Sequence, residues 1–172
     1  MSAVLRLTAL WLALPGVAAP EEPPAQGFTA QIAGDWQGGG EVSGMAAEMS
    51  MRWEPVLGGQ FLRLSLENRM SGKDGRPRRF QAQAYYRVGG DGAVSGRWFD
   101  SRGISLPLQG RVDGDAMTID WGDEASVERG RSRYRLSADA LEVTDEVIKD
   151  GVLAVFGRTR LTRQREAPET GS

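Results

Sequence analysis

The chain has 172 residues, with 21 lysines and arginines against 23 aspartates and glutamates, a formal net charge of −2. So even a balance argues against the concentrated positive field of nucleic-acid-binding proteins. It contains no histidine and no cysteine, which removes histidine-based catalytic triads, thiol nucleophiles, thiolate metal sites and disulfide staples.

At the N-terminus, Arg6 precedes an apolar run from Leu7 to Leu14, followed by Pro15, Gly16 and the small residues Val17 and Ala18. This pattern predicts a signal peptide over residues 1–18, cleaved after Ala18, and a periplasmic or secreted protein. The run is far shorter than the roughly 20 residues needed to span a bilayer, so no stable membrane insertion is expected after cleavage. Residues 19–30, with Pro20, Glu21, Glu22, Pro23 and Pro24, read as a proline-rich extended leader. Residues 31–165 are assigned to one folded domain and 166–172 to a disordered tail.

Ten strands are predicted, near 35–43, 46–54, 60–69, 78–88, 93–100, 104–113, 116–121, 126–136, 140–147 and 152–163. Turn signals separate them, including Leu57-Gly58-Gly59, Gly89-Gly90-Asp91-Gly92, Ser101-Arg102-Gly103 and Asp113-Gly114-Asp115. Connections this short favour an antiparallel meander over βαβ units. Parity then assigns faces: Phe80, Ala82, Ala84, Tyr86 and Val88 lie opposite Arg79, Gln81, Gln83 and Tyr85. Leu141, Val143, Asp145 and Val147 likewise share one side. The fold class is all-β, a single antiparallel barrel of eight to ten strands whose closure pairs every edge group; a two-sheet sandwich is the alternative.

The opening Gly34-Asp35-Trp36-Gln37-Gly38-Gly39-Gly40 resembles the first strand of calycin-like barrels, the group that includes lipocalins, fatty-acid-binding proteins and nitrobindin-like domains. The wider set Trp53-Glu54-Pro55-Val56-Leu57-Gly58-Gly59-Gln60-Phe61-Leu62, Tyr85-Tyr86, Trp98-Phe99-Asp100-Ser101-Arg102-Gly103 and Phe156 to Arg163 looks closer to an uncharacterised bacterial lipocalin-like family. The resemblance implies a first-strand tryptophan, Trp36, packed at one end of the barrel under a late arginine. Arg163 is the first choice and Arg160 the competitor, as a structural plug. Nitrobindin-like proteins bind haem through histidine, which this chain lacks, so no haem and no other cofactor is expected. The fatty-acid-binding helix pair is also missing, so the mouth of any cavity is expected to be shaped by hairpin loops.

For function, Trp53, Tyr86, Trp98, Phe99 and Trp121 are the candidate ligand-binding aromatics, with Ala82, Ala84, Gly96 and Gly110 leaving space beside them. Arg97, and more weakly Arg131, Arg133 and Arg135, could hold an anionic head group. The last three alternate with Ser132, Tyr134 and Leu136, which suits a wet outer face; Glu67, Asp100 and Asp145 are candidate partners. Met45, Met49 and Met51 offer thioethers to a soft metal, but without histidine or cysteine they read as core and rim residues, and no metal site is assigned. Asp123 and Glu124 sit in a turn, and Gly38-Gly39-Gly40 lacks the lysine of a phosphate-binding loop. No catalytic residues are assigned. The expected activity is non-catalytic binding of a small apolar or amphipathic molecule in the bacterial envelope; the alternative is a structural or protein-interaction domain with a filled barrel and an envelope protein partner.

Overall fold

The structure is a computed structural model that describes residues 24–72 and 74–165; the expected signal peptide and the C-terminal tail lie outside the described residues. Helix α1 (Pro24–Ile32) is followed by β1 (Gly34–Val42), β2 (Met45–Val56), β3 (Phe61–Ser71), β4 (Pro77–Val88) and β5 (Ala93–Asp100). The remaining strands are β6 (Ser105–Asp113), β7 (Ala116–Trp121), β8 (Gly130–Ser137), β9 (Ala140–Lys149) and β10 (Val152–Arg163). Each strand pairs antiparallel with the next, and β10 closes on β1, giving a closed ten-stranded barrel. Closure leaves no unpaired edge, and the sandwich alternative is set aside.

Parity builds the wall. On β8, Ser132, Tyr134 and Leu136 are buried while Arg133 and Arg135 are exposed; on β2, Ala47, Met49, Met51 and Trp53 are buried. The tight turn between β1 and β2 uses Ser43 and Gly44, both with positive φ, the geometry that matches strand twist in a two-residue hairpin. Within β1, a side-chain carbon at Gly38 or Gly40 would run into the carbonyl oxygens of Arg160 or Arg158 on β10. These glycines let the closing strands approach, which is a structural role.

The extended leader expected through residue 30 is corrected from Pro24 onward. Proline is favoured in the first helical turn, and Phe28 and Ile32, one turn apart, put their side chains on one face. Both are fully buried, so burial of this short apolar stripe outweighs the proline- and glutamate-rich composition that suggested an extended segment. The helix packs at the end of the barrel where β1 begins and β10 ends. There Arg163 sits over the Trp36 indole, 4.2 Å from the guanidinium carbon to the ring centroid. Its two terminal nitrogens donate to the carbonyl oxygens of Ala33, at 2.5 Å, and Gln31. The Trp36 indole N–H donates to the Ile32 carbonyl at 2.8 Å. One arginine thus covers the indole and satisfies carbonyls that the helix end leaves free. Arg160 lies elsewhere, on the outer wall beside Glu142.

Candidate functional site

With α1 stopping one end, the interior is accessible from the other. That end carries the β1–β2, β3–β4, β5–β6, β7–β8 and β9–β10 connections, because every strand alternates in direction. A cavity of about 430 Å³ runs inward from it. Ser43, Arg102, Glu128 and Lys149 stand at its mouth, and Tyr86, Leu108, Ile119, Tyr134 and Val143 lie among its inner walls. The volume falls within the range of small-molecule sites.

The sequence-predicted site residues divide. Tyr86, Trp98 and Trp121 line the cavity. Trp53 does not; it is buried on the inward face of β2 at the α1 end, its ring stacked on Tyr86 at 5.4 Å and edge-on to Tyr134 at 5.3 Å. Phe99 and Arg97 are corrected. They share one strand parity, opposite to Trp98, so both face outward: Phe99 is 46% exposed, and the Arg97 Nε donates to the Ser105 hydroxyl at 2.9 Å. Adjacent residues of a strand cannot both line one interior. The space also arises differently than expected, since Ala82, Ala84, Gly96 and Gly110 are not among the lining residues. At Gly96 and Gly110 a side-chain carbon would meet the carbonyl oxygens of Tyr85 and Thr118 instead.

The outer arginines belong to the solvent-facing wall. Arg131 makes a two-pronged contact with Asp120, at 2.6 and 3.0 Å, and Arg133 pairs with Glu146. Glu67 faces outward with Arg69 and Arg79, and the bond from Arg79 holds its carboxyl below the usual carboxylate range. Asp123 accepts from the Ser126 hydroxyl at 2.7 Å and from the Ala125 amide at 3.2 Å, and so shapes the β7–β8 loop.

Several features at the site were not anticipated. Arg102 bridges two loops across the mouth, donating to Asp100 at 2.7 Å and to both oxygens of Glu128 at 2.5 and 3.1 Å. Its guanidinium also lies over the Phe80 ring at 5.4 Å. Burial pushes the Asp100 carboxyl up, but bonds from Arg102 and the Trp98 indole outweigh it and leave the carboxyl below its ordinary value. On β10 the register shifts between Val155 and Gly157, and this bulge carries Phe156, whose ring lines the cavity edge-on to Trp121 at 6.5 Å. Gly130 makes room for the Trp121 ring, which a side-chain carbon there would strike. Met45, Met49, Met51 and Met70 add flexible apolar wall.

No protein-family model matches the chain, and no curated protein is similar to it in sequence. Among solved structures, the crystal structure of Rv2717c from M. tuberculosis superposes with a TM-score of 0.65 at 22% identity, over 83% of this chain and 98% of that one. The likeness is one of fold. This chain is a closed ten-stranded antiparallel barrel.

A polar patch of the cavity lies on β8 and β9. Asp145, by its charge a candidate partner for the outer arginines, instead faces inward and accepts the Ser132 hydroxyl at 2.6 Å. Burial pushes its carboxyl up to about 6, the bond from Ser132 opposing. Burial likewise holds the Tyr86 and Tyr134 hydroxyls well above their ordinary value, so both stay protonated and serve as neutral hydrogen-bonding groups. Among the described residues no three histidine, cysteine, aspartate or glutamate side chains converge as a metal site. No described helix is long and apolar enough to cross a membrane.

Proposed function

We propose that the protein binds one small apolar or amphipathic molecule in the barrel cavity, without chemical conversion, after export to the bacterial envelope or medium. The observation that carries this reading is the cavity of about 430 Å³, walled by Trp98, Trp121, Phe156, Leu108 and Ile119 and open at the loop end. Burying about 200 Å² of apolar ligand surface would contribute roughly 5 kcal/mol. Part of that is lost to immobilisation of the ligand, so useful affinity needs only a few polar contacts. Aromatic rings, flexible thioethers and a few polar side chains are the lining of a binding site of this kind.

Calorimetric titration with lipids, quinones and other apolar metabolites tests the reading, with Leu66→Trp as the control that fills the cavity from its wall. A single saturable site in the wild type that is lost in the folded Leu66→Trp variant is expected. Absence of saturable binding across the panel favours a structural or protein-binding domain instead.

A further inference from the structure

The cavity wall carries a carboxyl that no cation among the described residues pairs with. Asp145 stands on the inward face of β9 with Val143 and Val147, and among the described residues its hydrogen bond is the one from Ser132. None of the ion pairs among the described residues includes it. The groups facing it are neutral: the Ser132 hydroxyl and the protonated phenols of Tyr86 and Tyr134, both of which sense its charge. The cavity's other charged groups are at the mouth. Arg102 is already engaged by Asp100 and Glu128, and Lys149 is exposed four residues farther along β9, about 13 Å away at the rise of a strand.

With its carboxyl at about 6, Asp145 is mostly ionised at neutral pH. An ionised carboxylate facing apolar walls without a counter-charge is unfavourable, and a cation delivered by a ligand relieves it. The rest of the lining suits such a ligand. Trp98, Trp121 and Phe156 supply aromatic, largely apolar surface for the rest of such a molecule. Asn68, 3% exposed on the cavity wall, carries a side-chain carbonyl oxygen with no hydrogen-bond partner.

We infer that the occupant is a lipophilic amine, its ammonium group bound by Asp145 beside Ser132 and its apolar body extending along Trp98, Trp121 and Phe156 toward the mouth. This rests on the small-molecule reading of the same cavity and narrows its ligand class.

Decylamine, decanol and decanoate share a chain and differ in the head group, so they separate the two claims. Each is titrated into the ligand-free full chain, below its aggregation concentration, and followed by tryptophan fluorescence. At about pH 7.5, decylamine should bind roughly tenfold or more tightly than decanol, as expected for a desolvated charge pair, and decanoate more weakly than decanol. The amine preference should collapse toward about pH 5, because Asp145 takes up its proton through about 6 whereas an alkylammonium, like lysine, keeps its own to about pH 10. Asp145→Asn should erase the preference, read as the ratio of decylamine to decanol affinity in that same variant. If that variant does not fold, the wild-type pH series decides alone. Equal or weaker binding of the amine, or a preference that persists at about pH 5, overturns the amine inference and leaves the cavity reading standing. Failure of all three to saturate overturns both.

Discussion

Asp145→Asn should make the protein more stable near neutral pH, with a pH signature that isolates this one group. A carboxyl moved from 3.8 to about 6 on folding corresponds to about 3 kcal/mol. The folded state holds this proton more tightly than the unfolded chain. The group's contribution is therefore most favourable below about pH 4, is lost as pH rises through about 6, and is constant above that. Asparagine does not titrate, and its side-chain oxygen remains an acceptor for Ser132. Wild-type stability minus variant stability should fall by about 2 kcal/mol between about pH 4 and pH 7, most of that total. The subtraction matters because Glu54, Glu67, Asp100 and Asp123 are all held below their ordinary values and act in the opposite sense, losing stability as pH falls. They titrate alike in both proteins and cancel. Urea unfolding of protein refolded from denaturant, followed by tryptophan fluorescence across this range, gives the difference directly. A flat difference, or one that rises with pH, would show that Asp145 is solvated or paired and would refute the reasoning.

Other expectations concern the two ends of the barrel. Arg163→Ala removes the cover over Trp36 and two charge-assisted bonds to helix carbonyls, and should destabilise by roughly 3 kcal/mol in equilibrium unfolding. Phe28→Ala should cost about 3 kcal/mol and release the helix, seen as faster amide exchange over residues 27–33 than over the β-strands. Arg102→Ala breaks the bridge from Asp100 to Glu128, so it should destabilise by about 2 kcal/mol and speed release of a bound probe in stopped-flow measurements. An unchanged release rate would show that the bridge does not control access.

The strands were legible because period-2 alternation and glycine-rich turns recur along the domain. Predicted and observed bounds for β5, β7 and β10 coincide. The start of β8 was placed four residues early, at Ser126, where the side chain instead folds back on Asp123 in the loop. The helix escaped because only Phe28 and Ile32 mark it, too few for a sustained stripe, and its docking depends on a barrel end that exists only after closure. Within the site, parity was a stronger guide than residue type. Parity groups Asp145 with Leu141, Val143 and Val147 although its charge suggests an outer partner, and it separates Phe99 and Arg97 from Trp98 although their chemistry suggests a shared site. The Arg102 bridge spans loops separated by 26 residues, and the Phe156 bulge reflects a register shift; neither leaves a local sequence signal.

The central claim is that the space enclosed by this barrel receives a ligand. A crystal structure of the protein grown with 1-bromodecane tests it irrespective of head group, since bromine can be located by its anomalous scattering. One bromine site is expected inside the barrel, with the alkyl chain against Trp98, Trp121 and Phe156. An interior occupied by those side chains, with no bromine within it, would contradict the account.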